Sequence, residues 1–177
     1  MVVDTFHSII LTDKIRNDKF FINMQNDYYL LMDKALMEAK KGLEKGEVPI
    51  GAIIARPDGQ ILAKAHNQPI SLRDPTAHAE ILALREAGTV YNNYRLNDAT
   101  LVVTIEPCAM CMGAALNARI ARLVFGCFDP KAGAAGSLYN LSTDDRLNHK
   151  IEVISGIREK ECRELIQDFF QERRFEK

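Results

Sequence analysis

Apolar residues recur along this chain at helical spacing in some stretches and in short continuous runs in others, and the switch between the two predicts its elements. From Tyr28 to Lys45, apolar Leu31, Ala35, Leu36, Ala39 and Leu43 recur at helical spacing. Asn26 or Asp27 can cap that helix, and Gly46 can end it. Ile50 to Arg56 is a short apolar run. Pro57-Asp58-Gly59-Gln60 reads as a turn and Ile61 to His66 as a second strand, so the pair predicts a hairpin. A polar loop with Asn67, Pro69 and Asp74-Pro75 follows. His78 to Ala87 reads as a helix, with Asp74 or Thr76 as candidate caps and Gly88 as its stop. The β-branched run from Thr100 to Ile105 predicts a buried strand. Pro107 suits the first turn of a helix reaching about Asn117. Ala121 to Phe128 reads as a strand, Asp129 to Asn140 as a Gly/Ala-rich loop, Lys150 to Ile154 as a short strand, and Arg158 to Arg174 as a last helix.

This order of elements predicts an α/β fold, a mixed sheet covered by helices. The loop-to-helix junctions at 74–78 and 105–108 are then expected to open on the same end of the sheet. Helix N-termini placed there favour anions and metal-bound water.

Length and charge narrow the picture. The chain has 177 residues, enough to bury a full core. No repeat or linker divides it, so one domain is expected over residues 27–177, preceded by an N-terminal extension over residues 1–26. That extension has a short apolar patch, Ser8-Ile9-Ile10-Leu11, without the form of a secretory signal, and Asp4, Asp13 and Asp18 argue against a transit peptide. Met24 is a candidate alternative start. With 23 basic and 24 acidic residues, no basic field advertises nucleic acid and no apolar run reaches membrane length. The four cysteines, Cys108, Cys111, Cys127 and Cys162, are expected reduced in the cytoplasm, for metal binding or burial rather than disulfides.

The residues that carry chemistry are His78-Ala79-Glu80 and, thirty positions after the histidine, Pro107-Cys108-Ala109-Met110-Cys111. Cysteines three apart in a helical turn can both face one ion. His78 adds a third ligand from a second helix. Zinc takes this N/S set with four-coordinate geometry, and three protein ligands leave one position for water. Bound zinc brings the pKa of that water to about 7 in favourable sites. Glu80, two residues after His78, is placed to move its proton. A lone Cys-x-x-Cys is equally a redox or structural-zinc motif, and a four-cysteine site with Cys127 and Cys162 is an alternative. Those two cysteines are isolated and read better as buried thiols. His7, His66 and His149 lack ligand spacing around them.

On these residues the chain resembles the bacterial tRNA-specific adenosine deaminases, the TadA family. The paired zinc motifs are shared by many deaminases. The nearer likeness lies in Glu47-Val48-Pro49-Ile50-Gly51-Ala52, His66-Asn67, Asp74-Pro75-Thr76-Ala77-His78-Ala79-Glu80 and Asn93-Tyr94-Arg95-Leu96. It continues through Asp98-Ala99-Thr100-Leu101, Ala132 to Leu138, Leu147-Asn148-His149 and Phe169-Phe170. The resemblance implies a cytidine-deaminase-like three-layer α/β/α sandwich, one zinc per chain, a homodimer, and conversion of adenosine to inosine at the first anticodon position of a tRNA. It implies that Asn67 orients the flipped base or its ribose and that Val48, Pro49 and Ile105 line the pocket. Asp129 and Lys131 would then approach the anticodon loop, with Asp129 as a candidate reader of the 2′-hydroxyl. Arg173 and Arg174 would contact phosphates. Plain alternatives are a loop role for Asn67 and a solvated helix end for the arginines.

Two features depart from the family. Cys127 and Phe128 stand where it often has a small residue and an arginine, exchanging a phosphate contact for a stacking face. The extension over residues 1–26 is the other. A competing enzyme class is a zinc deaminase of a free nucleobase, nucleoside or nucleotide of cytidine or guanine type. A non-catalytic RNA-binding partner is the third class, and the presence of Glu80 speaks against it.

Overall fold

The computed structural model describes residues 27–175. The extension expected over residues 1–26, with its Met24, lies outside the described residues. Five strands form: β1 (Gly51–Ala55), β2 (Ile61–His66), β3 (Thr100–Ile105), β4 (Arg122–Cys127) and β5 (Glu152–Ser155). They make one sheet of order β2-β1-β3-β4-β5. The first two pairings are antiparallel and the last two parallel, so the sheet is mixed as expected. The helices are α1 (residues 27–44), α2 (Pro69–Leu72), α3 (Ala79–Val90), α4 (Ala109–Ala118) and α5 (Glu159–Phe175).

Strand side chains alternate between faces, and here both faces are apolar because both are covered. Ala52, Ile54, Leu101, Val103, Leu123 and Phe125 meet α3 and α4. Ile53, Ala55, Val102 and Val124 meet Leu31, Met32 and Ala35 of α1 and Cys162 of α5. The result is the three-layer α/β/α sandwich. Close approach of the outer layer depends on missing Cβ atoms. A Cβ at Gly51 would collide with the Ala35 carbonyl and come within 2.6 Å of the Ala39 nitrogen, both backbone of α1. A Cβ at Gly126 would run into the Cys162 thiol.

Element ends follow local chemistry. Gly46, at φ 74°, ends α1 in a left-handed cap: its N–H donates to Leu43 at 2.9 Å and Glu47 N–H donates to Gly42 at 3.0 Å. Gly88 does not stop α3, which runs on to Val90. The left-handed residue is Asn92, at φ 50°, and Asn93 N–H closes the turn on the Gly88 carbonyl. A glycine ends a helix only where the chain takes that conformation, and asparagine tolerates it as well. The loop after β2 contains the short helix α2, which the polar pattern did not predict. Lys150 and Ile151 precede β5 rather than joining it.

Candidate active site

The N-termini of α3 and α4 meet at one end of the sheet. α3 follows β2 through α2, α4 follows β3 directly, and β1 lies between those strands. Neither helix is capped by its own side chain. His78 is the N-cap of α3 and Cys108 the N-cap of α4, both extended, so their side chains project off the helix ends. Cys111 stands one turn further along α4. Asp74 and Thr76 are not the caps of α3. Asp74 accepts from Thr76 N–H at 2.8 Å and Thr76 Oγ1 at 2.7 Å, closing its own turn. The Ala79 N–H is instead taken by Asn67 Oδ1, at 2.9 Å, from across the loop.

His78 Nδ1 lies 3.7 Å from Cys108 Sγ and 3.5 Å from Cys111 Sγ. The three ligand atoms all lie within 4.8 Å of one another and can hold a metal ion. Two thiols and an imidazole converging on one point suit zinc by donor type. A hydrogen bond from Cys111, working against burial, brings the Cys108 thiol down to about 4, with His78 adding to the effect. The same bond and burial push Cys111 up. His78 is raised by its bond to Cys108. The N-terminus of α4, where Cys108 is the cap, favours the Cys108 thiolate as well.

Glu80, in the first turn of α3, is 3% exposed, and burial pushes its carboxyl up. Its Oε2 is a buried oxygen with no hydrogen-bond partner among the described residues. A buried, unpartnered carboxylate oxygen beside three convergent ligands fits a site completed by an ion and a polar reactant.

The chain matches the family described as the cytidine and deoxycytidylate deaminase zinc-binding region over residues 25–127, a span that holds all three ligands. It is 48% identical to the tRNA-specific adenosine deaminase of Bacillus subtilis (strain 168) over 148 residues, 84% of this chain and 91% of the relative. It is 47% identical to that of Haemophilus influenzae over 147 residues, 83% of this chain and 85% of the relative. A solved structure from work on A-to-I editing by tRNA deaminases at the wobble position superposes with a TM-score of 0.74. Its identity is 42%, covering 76% of this chain and 97% of the other.

The chain belongs to the family of tRNA-specific adenosine deaminases. The likeness covers the zinc region and most of the sandwich, so the fold and the zinc-binding character are those of the family.

Around His78, Cys108 and Cys111 of this deaminase stand buried polar residues that their motifs alone do not single out. Glu106, between β3 and Pro107, is 2% exposed. Its carboxylate accepts from Ala135 N–H and Ser137 N–H at 2.9 Å each, from Asp129 N–H at 3.1 Å and from Ser137 Oγ. It therefore ties the loop over 129–137 to the turn between β3 and α4 that carries Cys108. Gly133 and Cys108 form a bridge in the same place, and Ala134 N–H donates to Pro107. Glu47 does for α2 what Glu106 does for that loop, accepting from Ser71 N–H and Ser71 Oγ at 2.7 Å and from Ile70 N–H at 3.3 Å. Burial alone would raise Glu47, but these bonds hold it below the usual carboxylate value. The only available signal was an acidic residue beside an apolar or proline run, which does not reveal burial.

His66 is buried beneath Gly42 and held at both ring nitrogens. Lys45 Nζ lies 3.1 Å from Nε2 and can only donate, so Nδ1 carries the hydrogen toward Glu38 Oε2 at 3.4 Å. This fixes the end of β2 just before Asn67.

The other expected residues take varied positions. Asn67 is buried and caps α3, so the loop role and the site position coincide in one residue. Val48 is half-buried and Pro49 buried, between α1 and β1. Ile105, half-buried, packs with the cluster beneath α1 and α5. Asp129 Oδ1 accepts from Lys131 N–H at 2.9 Å and Ala132 N–H at 3.3 Å, and so shapes its own loop. Lys131 is exposed. Arg173 donates to the Gly46 carbonyl and lies 4.8 Å above the Phe169 ring, so it is partly committed to the end of α1. Arg174 is exposed beside it. A cavity of about 240 Å³ lies at the other end of the sheet, between Arg56, Tyr91 and Asp98, and contains none of these groups.

Proposed function

We propose that this deaminase hydrolyses the amino group of adenosine at the wobble position of a tRNA, leaving inosine. The observation that carries this reading is near-half identity to tRNA-specific adenosine deaminases across four-fifths of the chain, together with convergence of His78, Cys108 and Cys111 beside Glu80. His78, Cys108 and Cys111 hold one zinc ion. Zinc there supplies a Lewis acid that acidifies a water molecule and orients it. With that chemistry supplied, Glu80 would take a proton from the water and deliver it to the ring nitrogen beside C6 as the water oxygen bonds to C6. Glu80 would next take the remaining proton from the new C6 hydroxyl and pass it to the exocyclic amine, so that the C6–N bond breaks, ammonia leaves and C6 becomes the carbonyl of inosine. The Asn67 side-chain NH₂ is free of hydrogen bonds among the described residues and is assigned to the flipped nucleotide. Val48, Pro49 and Ile105 border the base. Asp129 and Lys131 meet the anticodon loop, and Arg173 and Arg174 meet phosphates.

An adenine inside a duplex cannot present C6 to the site, so the target is unpaired or flipped, as an anticodon loop allows. The protein acts in the cytoplasm as a homodimer, where its tRNA substrate resides. No helix among the described residues is long and apolar enough to cross a membrane. The test is incubation of the purified protein with an anticodon stem-loop bearing adenosine and, separately, with free adenosine, cytidine and guanine. Inosine in the stem-loop alone is expected. Turnover of a free nucleoside or base without turnover of the stem-loop overturns the assignment.

A further inference from the structure

Phe128 follows β4 directly and is 43% exposed. Single exposed apolar residues are common, so exposure alone assigns nothing. Three observations make this one different. The ring is seated: its centroid lies 5.0 Å from that of the fully buried Phe125, at an interplanar angle of 85°. That is a favourable edge-to-face pair, so the ring has a defined position. Gly136 borders the ring without a side chain, and a Cβ there would already lie in van der Waals contact with it at 3.8 Å. The backbone on either side is locked to the metal-ligand turn. Cys127 C=O accepts from Glu106 N–H at 2.9 Å, and the Glu106 carboxylate accepts from Asp129 N–H at 3.1 Å, two residues before Cys108 in sequence. Phe125 belongs to the core beneath α3 and α4, so Phe128 stands on the side of the sheet that carries the ligands.

We propose that Phe128 is a stacking platform for an unpaired base that flanks the target adenosine, and so a specificity-determining residue of this deaminase. The proposal rests on the RNA reading given above. Flipping the target leaves its neighbours in the loop without a stacking partner. An anchored aromatic face restores that contact for any base, because every base has a π-face. The contact does not depend on charge, which matters in a chain of net charge −1. It differs from phosphate contacts in adding no salt dependence.

The experiment measures KM and kcat on an anticodon stem-loop with all bases present and on loops made abasic at the nucleotide on either side of the target. Phe128→Leu keeps apolar bulk against Phe125 but loses the planar face. It should raise KM for the intact loop about 10- to 100-fold and leave the dependence of KM on salt unchanged. Phe128→Tyr should behave as the wild type. On the loop lacking the stacked base, wild-type protein should show the same rise in KM, and Phe128→Leu should add nothing to it. An equal penalty from Phe128→Leu on intact and abasic loops overturns the proposal and leaves the deaminase assignment standing. So does a wild-type KM unchanged on both abasic loops, a result that needs no variant to fold. Wild-type protein inert on every loop overturns the assignment and this proposal together.

Discussion

His78 and Glu80 are two residues apart, yet they face different tasks because His78 is the N-cap of α3 and Glu80 lies in its first turn. The cap side chain projects off the helix end, while the first-turn side chain is buried against the core. Under the proposed chemistry Glu80 moves protons and does not ligate. Glu80→Gln should therefore keep one zinc per chain by elemental analysis and lose turnover by about 10²–10⁴-fold or more. Normal turnover in that variant removes Glu80 from the reaction. Asn67 has two ends with separable duties. Its oxygen caps Ala79, and its NH₂ is the end assigned to substrate. Asn67→Asp keeps an acceptor for the helix end, where negative charge is favourable, and deletes the donor. It should melt near the wild-type temperature and show reduced kcat/KM on the stem-loop, whereas Asn67→Ala should also lose about 1 kcal/mol of stability with the cap. A drop in melting temperature as large for Asp as for Ala would make Asn67 a scaffold residue alone.

At the scale of elements, the loop over 129–137 depends on a buried carboxylate as well as on its own turn at Asp129. Gly133 does not have positive φ, so backbone freedom is not why it is glycine. A Cβ there would collide with the Glu106 carboxylate and come within 2.6 Å of the Asp129 carbonyl. Overpacking of this kind costs about 1–3 kcal/mol. Gly133→Ala should lower the melting temperature by several degrees and raise KM for the stem-loop. It should leave zinc content intact, because His78, Cys108 and Cys111 sit on helix ends outside the loop. Retained KM would show that the loop does not meet RNA. The strand and helix positions of this region were legible from β-branched runs and Pro107. The burial of Glu106 was not, because the four donors that stabilise it are 23 to 31 residues away in sequence.

At the scale of the whole molecule, near-neutral charge means that RNA affinity comes from local groups rather than a general field. Assembly belongs here too. Ile70 and Leu72 on α2, Met110 in the first turn of α4, and Leu138 and Tyr139 after the Glu106-anchored loop are exposed apolar side chains on elements that flank the site. A second copy of the chain is the proposed cover. Sedimentation at micromolar concentration should give twice the chain mass, and a monomer with full activity would refute the dimer. Zinc should stabilise the same assembly, since a ligand that binds only the folded state contributes about 4 kcal/mol at a thousand times its Kd. Chelation should accordingly lower the melting temperature on the order of 10 °C, and an unchanged melt would remove zinc from the folded protein.

Periodicity and ligand chemistry determined a great deal before any tertiary contact was known. Continuous apolar runs located the strands and the 3.6 period the long helices, because covering a face with apolar residues leaves a local trace. The spacing of His78, Glu80, Cys108 and Cys111 named the metal and its reaction type, because donor identity is a property of single residues. Tertiary structure decided what depends on distant partners. It put the cap of α3 on Asn67 rather than Asp74 or Thr76, carried α3 past Gly88 to Val90, and turned Arg173 partly toward Gly46. It also buried Glu47 and Glu106, whose bonds to α2 and to the 129–137 loop shape the surroundings of the site. A carboxylate can be buried only where several donors converge on it, and that convergence is made by the fold, not by any neighbour in the chain.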